Sequence, residues 1–194
     1  MEIFHPLVGR AILTDIEVYP YYKKEFCEKI YGTLGLDHPG VAETMAQGDY
    51  LLGGRVKEAE NFDNSFEKYN FKPEETKEIF RKKGWRRVVG FQTRNVPHCA
   101  HEFLQRQALD YVDGLFIQPV IGEKKLQDFK DEYIISAYEI LIDKYHLPER
   151  AMLGILPLKM RYAGPREAVM HALIRKNFGC THFVVGRDHA GVGD

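Results

Sequence analysis

Residues 71–119 read FKPEETKEIFRKKGWRRVVGFQTRNVPHCAHEFLQRQALDYVDGLFIQP, and the alternation inside this stretch decides the fold class. Pro73 opens a helix that runs to Lys83, since proline suits a first helical turn where its missing N–H has no partner to lose. Gly84 ends that helix, and the basic run Arg81–Arg87 around Trp85 reads first as cations gathered at a helix C-terminus. Val88–Phe91 then forms a short apolar strand. A second helix spans His98–Val112, with Leu104, Ala108 and Tyr111 on one stripe, and Leu115–Pro119 returns to strand.

The alternation continues downstream. Phe129–Tyr145 reads as a helix with Ile134, Tyr138, Leu141 and Tyr145 on one face, Met152–Leu156 as a strand, Pro165–Asn177 as a helix and His182–Gly186 as a strand. Short apolar strands separated by helices of about four turns mark βαβ units around a parallel sheet. Upstream the pattern differs. Leu7–Leu13 and Tyr50–Val56 read as strands, Pro20–Tyr31 as a short helix, and Gly35–Gly48, with Pro39 inside it, as loop. That is too little for a domain of its own, so residues 1–71 are expected to be the end of a larger β-rich domain and residues 72–194 an α/β domain.

Composition narrows the function. The 194 residues carry 27 basic and 28 acidic side chains, a balance without the basic surplus that nucleic acid or an anionic membrane attracts. A 44% hydrophobic share supports a packed core and excludes disorder, collagen-like repeats and coiled coil. No stretch approaches the roughly 18 consecutive apolar residues of a membrane span, and MEIFHPLVGR lacks the basic cap and apolar run of a signal peptide. Cys27, Cys99 and Cys180 are scattered and form no CxxC pair, which argues against a disulfide framework or a zinc knuckle. The expectation is a cytoplasmic protein with neither a nucleic-acid nor a membrane partner.

In open α/β sheets ligands bind beyond the carboxyl ends of the strands, near the topological switch point. Two such ends are densely polar here, Gln92–Glu102 and Gly186–Gly193. In the first, Asn95 is expected to cap the following helix and Pro97 to enter its first turn, which sets His98 and His101 on one face. The positive end of the helix dipole favours an anion, and Arg94 offers a two-pronged fork to a tetrahedral oxyanion. HxxH alone fits a plain polar helix start better than a ligand site; a metal pair has no third ligand nearby and lacks the HExxH order. In GRDHAGVG the glycines let backbone approach a ligand closely, while Arg187 and His189 supply donors and Asp188 an acceptor; a simple turn is the other reading. Together the two loops point to a polyphosphate site. Arg161, Tyr162 and Arg166 follow the third strand and face the same edge or plain solvent. His171 and His182 read as packed or solvent-facing.

These residues resemble the ATP sulfurylase family, also called sulfate adenylyltransferase. GWRRVVGFQTRNVPHCAHE at 84–102 and MRYAGPREAVMHALIRKNFGCTHFVVGRDHAGVGD at 160–194 carry the resemblance, with LDHPGVAETMAQGDYLLGGRV at 36–56 more weakly. One departure is Val96 before Pro97, where the commonest family form has proline directly after the asparagine. The resemblance implies a Rossmann-like, HUP-type nucleotidyltransferase domain over 72–194, C-terminally incomplete, preceded over 1–71 by the tail of a barrel-like β-rich domain. It implies conversion of sulfate and ATP to adenosine 5′-phosphosulfate and pyrophosphate, by in-line attack on the α-phosphate. Gln92, Arg94 and the Ala190 backbone would hold sulfate, and Gln92, Asn95, Gly186, Arg187, Asp188 and His189 the nucleotide. Thr93 and Asn95 would orient the α-phosphate and attacking oxygen, and His98 and His101 would stabilise the departing pyrophosphate, so that Thr93, Arg94, Asn95, His98 and His101 form the catalytic set. Mg2+ would arrive as Mg-ATP, with no tightly bound protein metal. Family members extend beyond both ends of this sequence and are commonly homo-oligomers, so the chain is expected to be a middle slice with an exposed sheet edge at Phe183–Val185. A related nucleotidyltransferase with another acceptor, and a non-catalytic nucleotide-binding fragment, are the competing readings.

Overall fold

The computed structural model describes residues 1–5, 9–60, 66–122, 129–145 and 149–192. Leu7 and Val8 of the expected first strand, and Gly193 of the second loop, lie outside them. The chain forms two units. One comprises Met1–Ser65, Arg161–Glu167 and Asp188–Asp194; the other comprises Phe66–Met160 and Ala168–Arg187.

The first unit is built on an antiparallel sheet, β1 (Glu2–His5), β2 (Gly9–Pro20) and β3 (Tyr50–Glu60), in that order. The β2–β3 register slips between Thr14 and Glu17, where Asp15 adopts φ +51°, the left-handed conformation that one class of bulge uses. Two helices follow β2, α1 (Lys23–Tyr31) and α2 (Pro39–Ala46). Pro20 does not start a helix: it closes the β2 ladder opposite Tyr50, and the chain turns before α1 begins. The expected loop over 35–48 contains α2, because Pro39 fills its first position and the His38 imidazole Nδ1 accepts from the Gly40 N–H at 3.1 Å.

The second unit is the parallel sheet. Its strands are β4 (Val88–Thr93), β5 (Gly114–Ile121), β6 (Ala151–Leu153), β7 (Leu156–Pro157) and β8 (His182–Phe183). The order is β6-β5-β4-β8, with β7 pairing further along β5. Its helices are α3 (Pro73–Lys82), α4 (Cys99–Leu109), α5 (Asp131–Lys144) and, from Ala168 on, α6 (Pro165–Asn177), whose first three residues belong to the first unit. The single strand expected over 152–156 is broken because the Ile155 N–H leaves the ladder for the Tyr69 carbonyl at 2.9 Å. The last strand is shorter than expected, although the Val184 N–H still reaches the Gly90 carbonyl at 3.0 Å. At this sheet edge Val185 is 62% exposed, while Phe183 and Val184 are partly covered.

β5 is buried along its whole length, which is why it reads as an unbroken apolar run. Leu115, Ile117, Ile134 and Tyr138 form the heart of one cluster; Phe80, Trp85, Phe116 and Phe178 fill the other. β4 comes first in this unit, and the chain builds outward from it to β5 and β6, then returns to add β8 on the opposite side. The reversal places the switch point at the carboxyl ends of β4 and β8. Among the described residues no helix is long and apolar enough to cross a membrane.

Candidate active site

β4 ends on Gln92 and Thr93, the chain runs through Arg94–Pro97, and α4 starts at Cys99. The N-cap is His98 and not Asn95: its backbone is extended and its Nδ1 accepts from the Ala100 N–H at 3.2 Å, the service an Asn or Ser side chain would give. In the neutral ring the proton therefore sits on Nε2. Asn95 lies three residues before the cap, and its backbone closes on Thr93, the N–H donating to Thr93 Oγ1 at 3.1 Å and the carbonyl accepting from that hydroxyl at 3.2 Å. Pro97 precedes the cap and so lies outside the first turn. The His98 and His101 rings are stacked with centroids 3.8 Å apart, and Phe91 meets His101 edge-on at 5.6 Å. Burial and then the neighbouring His98 hold the His101 imidazole below its usual pKa, with the Val96 backbone opposing. Two imidazoles at the positive end of a helix, beyond an arginine, form a donor set for an oxyanion.

Beneath this loop lies a layer of buried polar side chains that carries no sequence motif. Gln118 stands opposite Gln92 in the β4–β5 register, and its Nε2 donates to the Ile155 carbonyl at 3.2 Å. Arg175 of α6 is fully buried, and its Nη2 donates to the Gln118 carbonyl at 2.8 Å. Tyr138 of α5 is also fully buried; burial pushes its phenol up to about 12, against the opposing pull of the Thr93 and Gln105 side chains. The available signal was a lone glutamine inside the apolar run LFIQPV.

β8 delivers Gly186 and Arg187, both exposed, at the same sheet end as Gln92, because Val89 pairs with His182 and Gly90 with Phe183. The second unit thus gathers Gln92, Thr93, Arg94, Asn95, His98, His101, Gly186 and Arg187 at its switch point. Asp188, His189 and Ala190 belong to the first unit. There the Gly191 N–H turns back toward the Asp188 carbonyl at 3.4 Å, and Ala190 takes φ +56°. Also in the first unit, the Arg161 guanidinium lies over the Phe26 ring at 5.9 Å, and exposed Arg166 reaches the Ile30 carbonyl at 3.5 Å. His171 is buried, and His182 is exposed with its Nδ1 2.8 Å from Thr181 Oγ1. Among the described residues no group of three or more His, Cys, Asp or Glu is placed to hold a metal ion.

The ATP-sulfurylase family model matches residues 67–194. This chain belongs to the ATP-sulfurylase family. A PUA-like domain model matches residues 7–61. The sulfate adenylyltransferase of Pyrococcus abyssi is 53% identical over 192 residues, 99% of this chain and 51% of that protein. That of Thermococcus onnurineus is 53% identical over 178 residues, 92% of this chain and 47% of its own. The Halothermothrix orenii protein of the same name is 48% identical over 185 residues, 95% and 48% of the two chains. The chain thus spans about half the length of the curated relatives it matches. A solved structure described as a hexameric APS kinase from Thiobacillus denitrificans superposes with a TM-score of 0.60 at 24% identity, over 72% of this chain and 28% of that one, a likeness of fold. The ATP-sulfurylase match contains both polar loops, from Gln92 to Ala190, and bears out the resemblance carried by 84–102 and 160–194.

Proposed function

We propose that this chain carries the adenylyl-transfer site of a sulfate adenylyltransferase. A sulfate oxygen attacks the α-phosphorus of ATP in line as the bond to the bridging oxygen of the β-phosphate breaks, and pyrophosphate leaves with that electron pair. The products are adenosine 5′-phosphosulfate and pyrophosphate. Sulfate is fully ionised at neutral pH, so the reaction needs no general base, and catalysis reduces to positioning and charge stabilisation. The observation that carries the reading is the stacked His98–His101 pair at the start of α4, just beyond Arg94 at the switch point.

In this reading Gln92 and Arg94 bind sulfate, Thr93 holds Asn95 against the α-phosphate, and His98 and His101 take up charge on the leaving pyrophosphate. Gly186 and Arg187 bind the nucleotide. For Asp188 and His189 at the nucleotide, and for the Ala190 backbone at sulfate, the assignment is carried by the family motif alone. ATP is taken as its magnesium complex: Arg94, Arg187 and two imidazoles suit phosphate oxygens and not a cation, so the ion stays on the substrate. The three free thiols fit a reducing cytoplasm, and the family resemblance carries a homo-oligomeric enzyme.

The test is sulfate-dependent pyrophosphate release from Mg-ATP, coupled to pyrophosphatase. Arg94→Ala is expected to lower it by at least about a hundredfold, the scale of losing one preorganised donor from an oxyanion site. Turnover that ignores sulfate but follows a neutral acceptor would replace sulfate in this reading. ATP binding without any pyrophosphate release would reduce the chain to a nucleotide-binding fragment.

A further inference from the structure

In the first unit the segment Arg161–Gly164 is held in a conformation its residues do not favour. Tyr162, buried and bulky, has φ +59°, in the left-handed region that disfavours any side chain of its size. Such an outlier persists only where its surroundings over-determine it. Here they do. The Glu167 carboxylate, 2% exposed, accepts from the Arg161 N–H at 2.9 Å with one oxygen and from the Ala163 N–H at 3.0 Å with the other. His38, 124 residues away in sequence, meets the carbonyl between them: with Nδ1 accepting from Gly40, Nε2 carries the proton and donates to the Tyr162 carbonyl at 3.1 Å. Gly40 admits this approach, since a Cβ there would stand 2.7 Å from the Arg161 carbonyl oxygen.

The next N–H of the segment, that of Gly164, donates to the Ala190 carbonyl at 2.9 Å. Ala190 is itself left-handed, at φ +56°. A single backbone hydrogen bond, from Gly164, thus joins the turn that holds Tyr162 to the strained Ala190. We propose that Glu167 and His38 are positioning residues for Ala190, acting through the Tyr162 turn and the Gly164 N–H to hold the backbone that receives sulfate. The sulfate half of this inference rests on the proposed function.

Glu167→Gln places an amide NH2 against one of the two backbone N–H groups and removes the charge from the other bond. His38→Asn is the milder variant: asparagine still caps α2 but is too short to reach the Tyr162 carbonyl. Two readouts are taken on the whole chain, amide hydrogen exchange at Ala163 and Gly164, and the KM values for sulfate and ATP. In both variants the Gly164 amide is expected to exchange at least about tenfold faster, and the sulfate KM to rise by about tenfold while the ATP KM stays within about twofold. Unchanged Gly164 exchange in both variants overturns the clamp. Faster exchange with the two KM values moving together, or with neither moving, overturns the link to Ala190. A wild-type chain with no sulfate-dependent turnover refutes the proposed function and the sulfate half of this inference, and exchange then decides the clamp by itself.

Discussion

Gly90 lies in the middle of β4, two residues before Gln92, and the stem of Arg175 passes directly over it. A Cβ added at Gly90 would stand 2.8 Å from Arg175 Cγ, 3.1 Å from Arg175 Cβ and 3.2 Å from Cys180 Sγ. The arginine cannot simply swing away, because its Nη2 is fixed to the Gln118 carbonyl at 2.8 Å and the side chain is fully buried. Gly90→Ala therefore forces either overpacking, at about 1–3 kcal/mol, or loss of a buried charge-assisted hydrogen bond, at about 1.5–3 kcal/mol. Taking about 2 kcal/mol, a chain of this size should lose roughly 4–8 °C in Tm. Trp85, the single tryptophan, is buried in the same unit, so its fluorescence reports the melt of this sheet. Adding Cys180→Ala relieves only the 3.2 Å contact and should recover less than half of the loss. A Gly90→Ala protein melting within about 2 °C of wild type would refute the claim that the glycine is there to let the arginine through.

The three cysteines should separate cleanly on labelling with a thiol reagent. Cys99 is exposed and reacts in the native protein, whereas Cys27 and Cys180 are buried and react only on unfolding, with burial pushing the Cys180 thiol up to about 12. A second fast thiol in the native state would contradict the packing. His101 predicts a pH effect of definite sign. Its folded-state pKa lies below the usual 6.5, so the unfolded chain binds more protons as pH falls through that value. This part of the stability is whole above about pH 6.5 and is lost as pH drops toward the folded-state pKa. His101→Gln should flatten the Tm profile between about pH 7 and 5, and an unchanged slope would show that His101 is not its source.

The architecture of the second unit was legible because its strands and helices obey different periods. An unbroken apolar run such as Leu115–Pro119 has little option but a buried strand, and Pro73 and Pro165 announce their helices by local geometry alone. The same rule, applied to Pro39, would have found α2; the glycines around it masked a helix whose cap is a histidine. Pro20 misled for the opposite reason, since a proline at the end of a ladder looks in sequence like a proline at the start of a helix. The N-cap of α4 misled in a similar way: Asn95 has the better intrinsic propensity, but the helix begins only at Cys99, so the capping position falls to His98.

The sequence by itself determined the parallel α/β sheet, the two polar loops and the family, because hydrophobic period and motif are written along the chain at short range. Only the tertiary structure decided which buried polar groups find partners, and where. Gln118, Tyr138 and Arg175 in the second unit, and His38 and Glu167 in the first, come from four separate segments, and their spacing along the chain holds no trace of the contacts they make. Each is a polar group that burial would penalise unless another part of the fold met it, and that partner is chosen by how strands and helices pack in three dimensions.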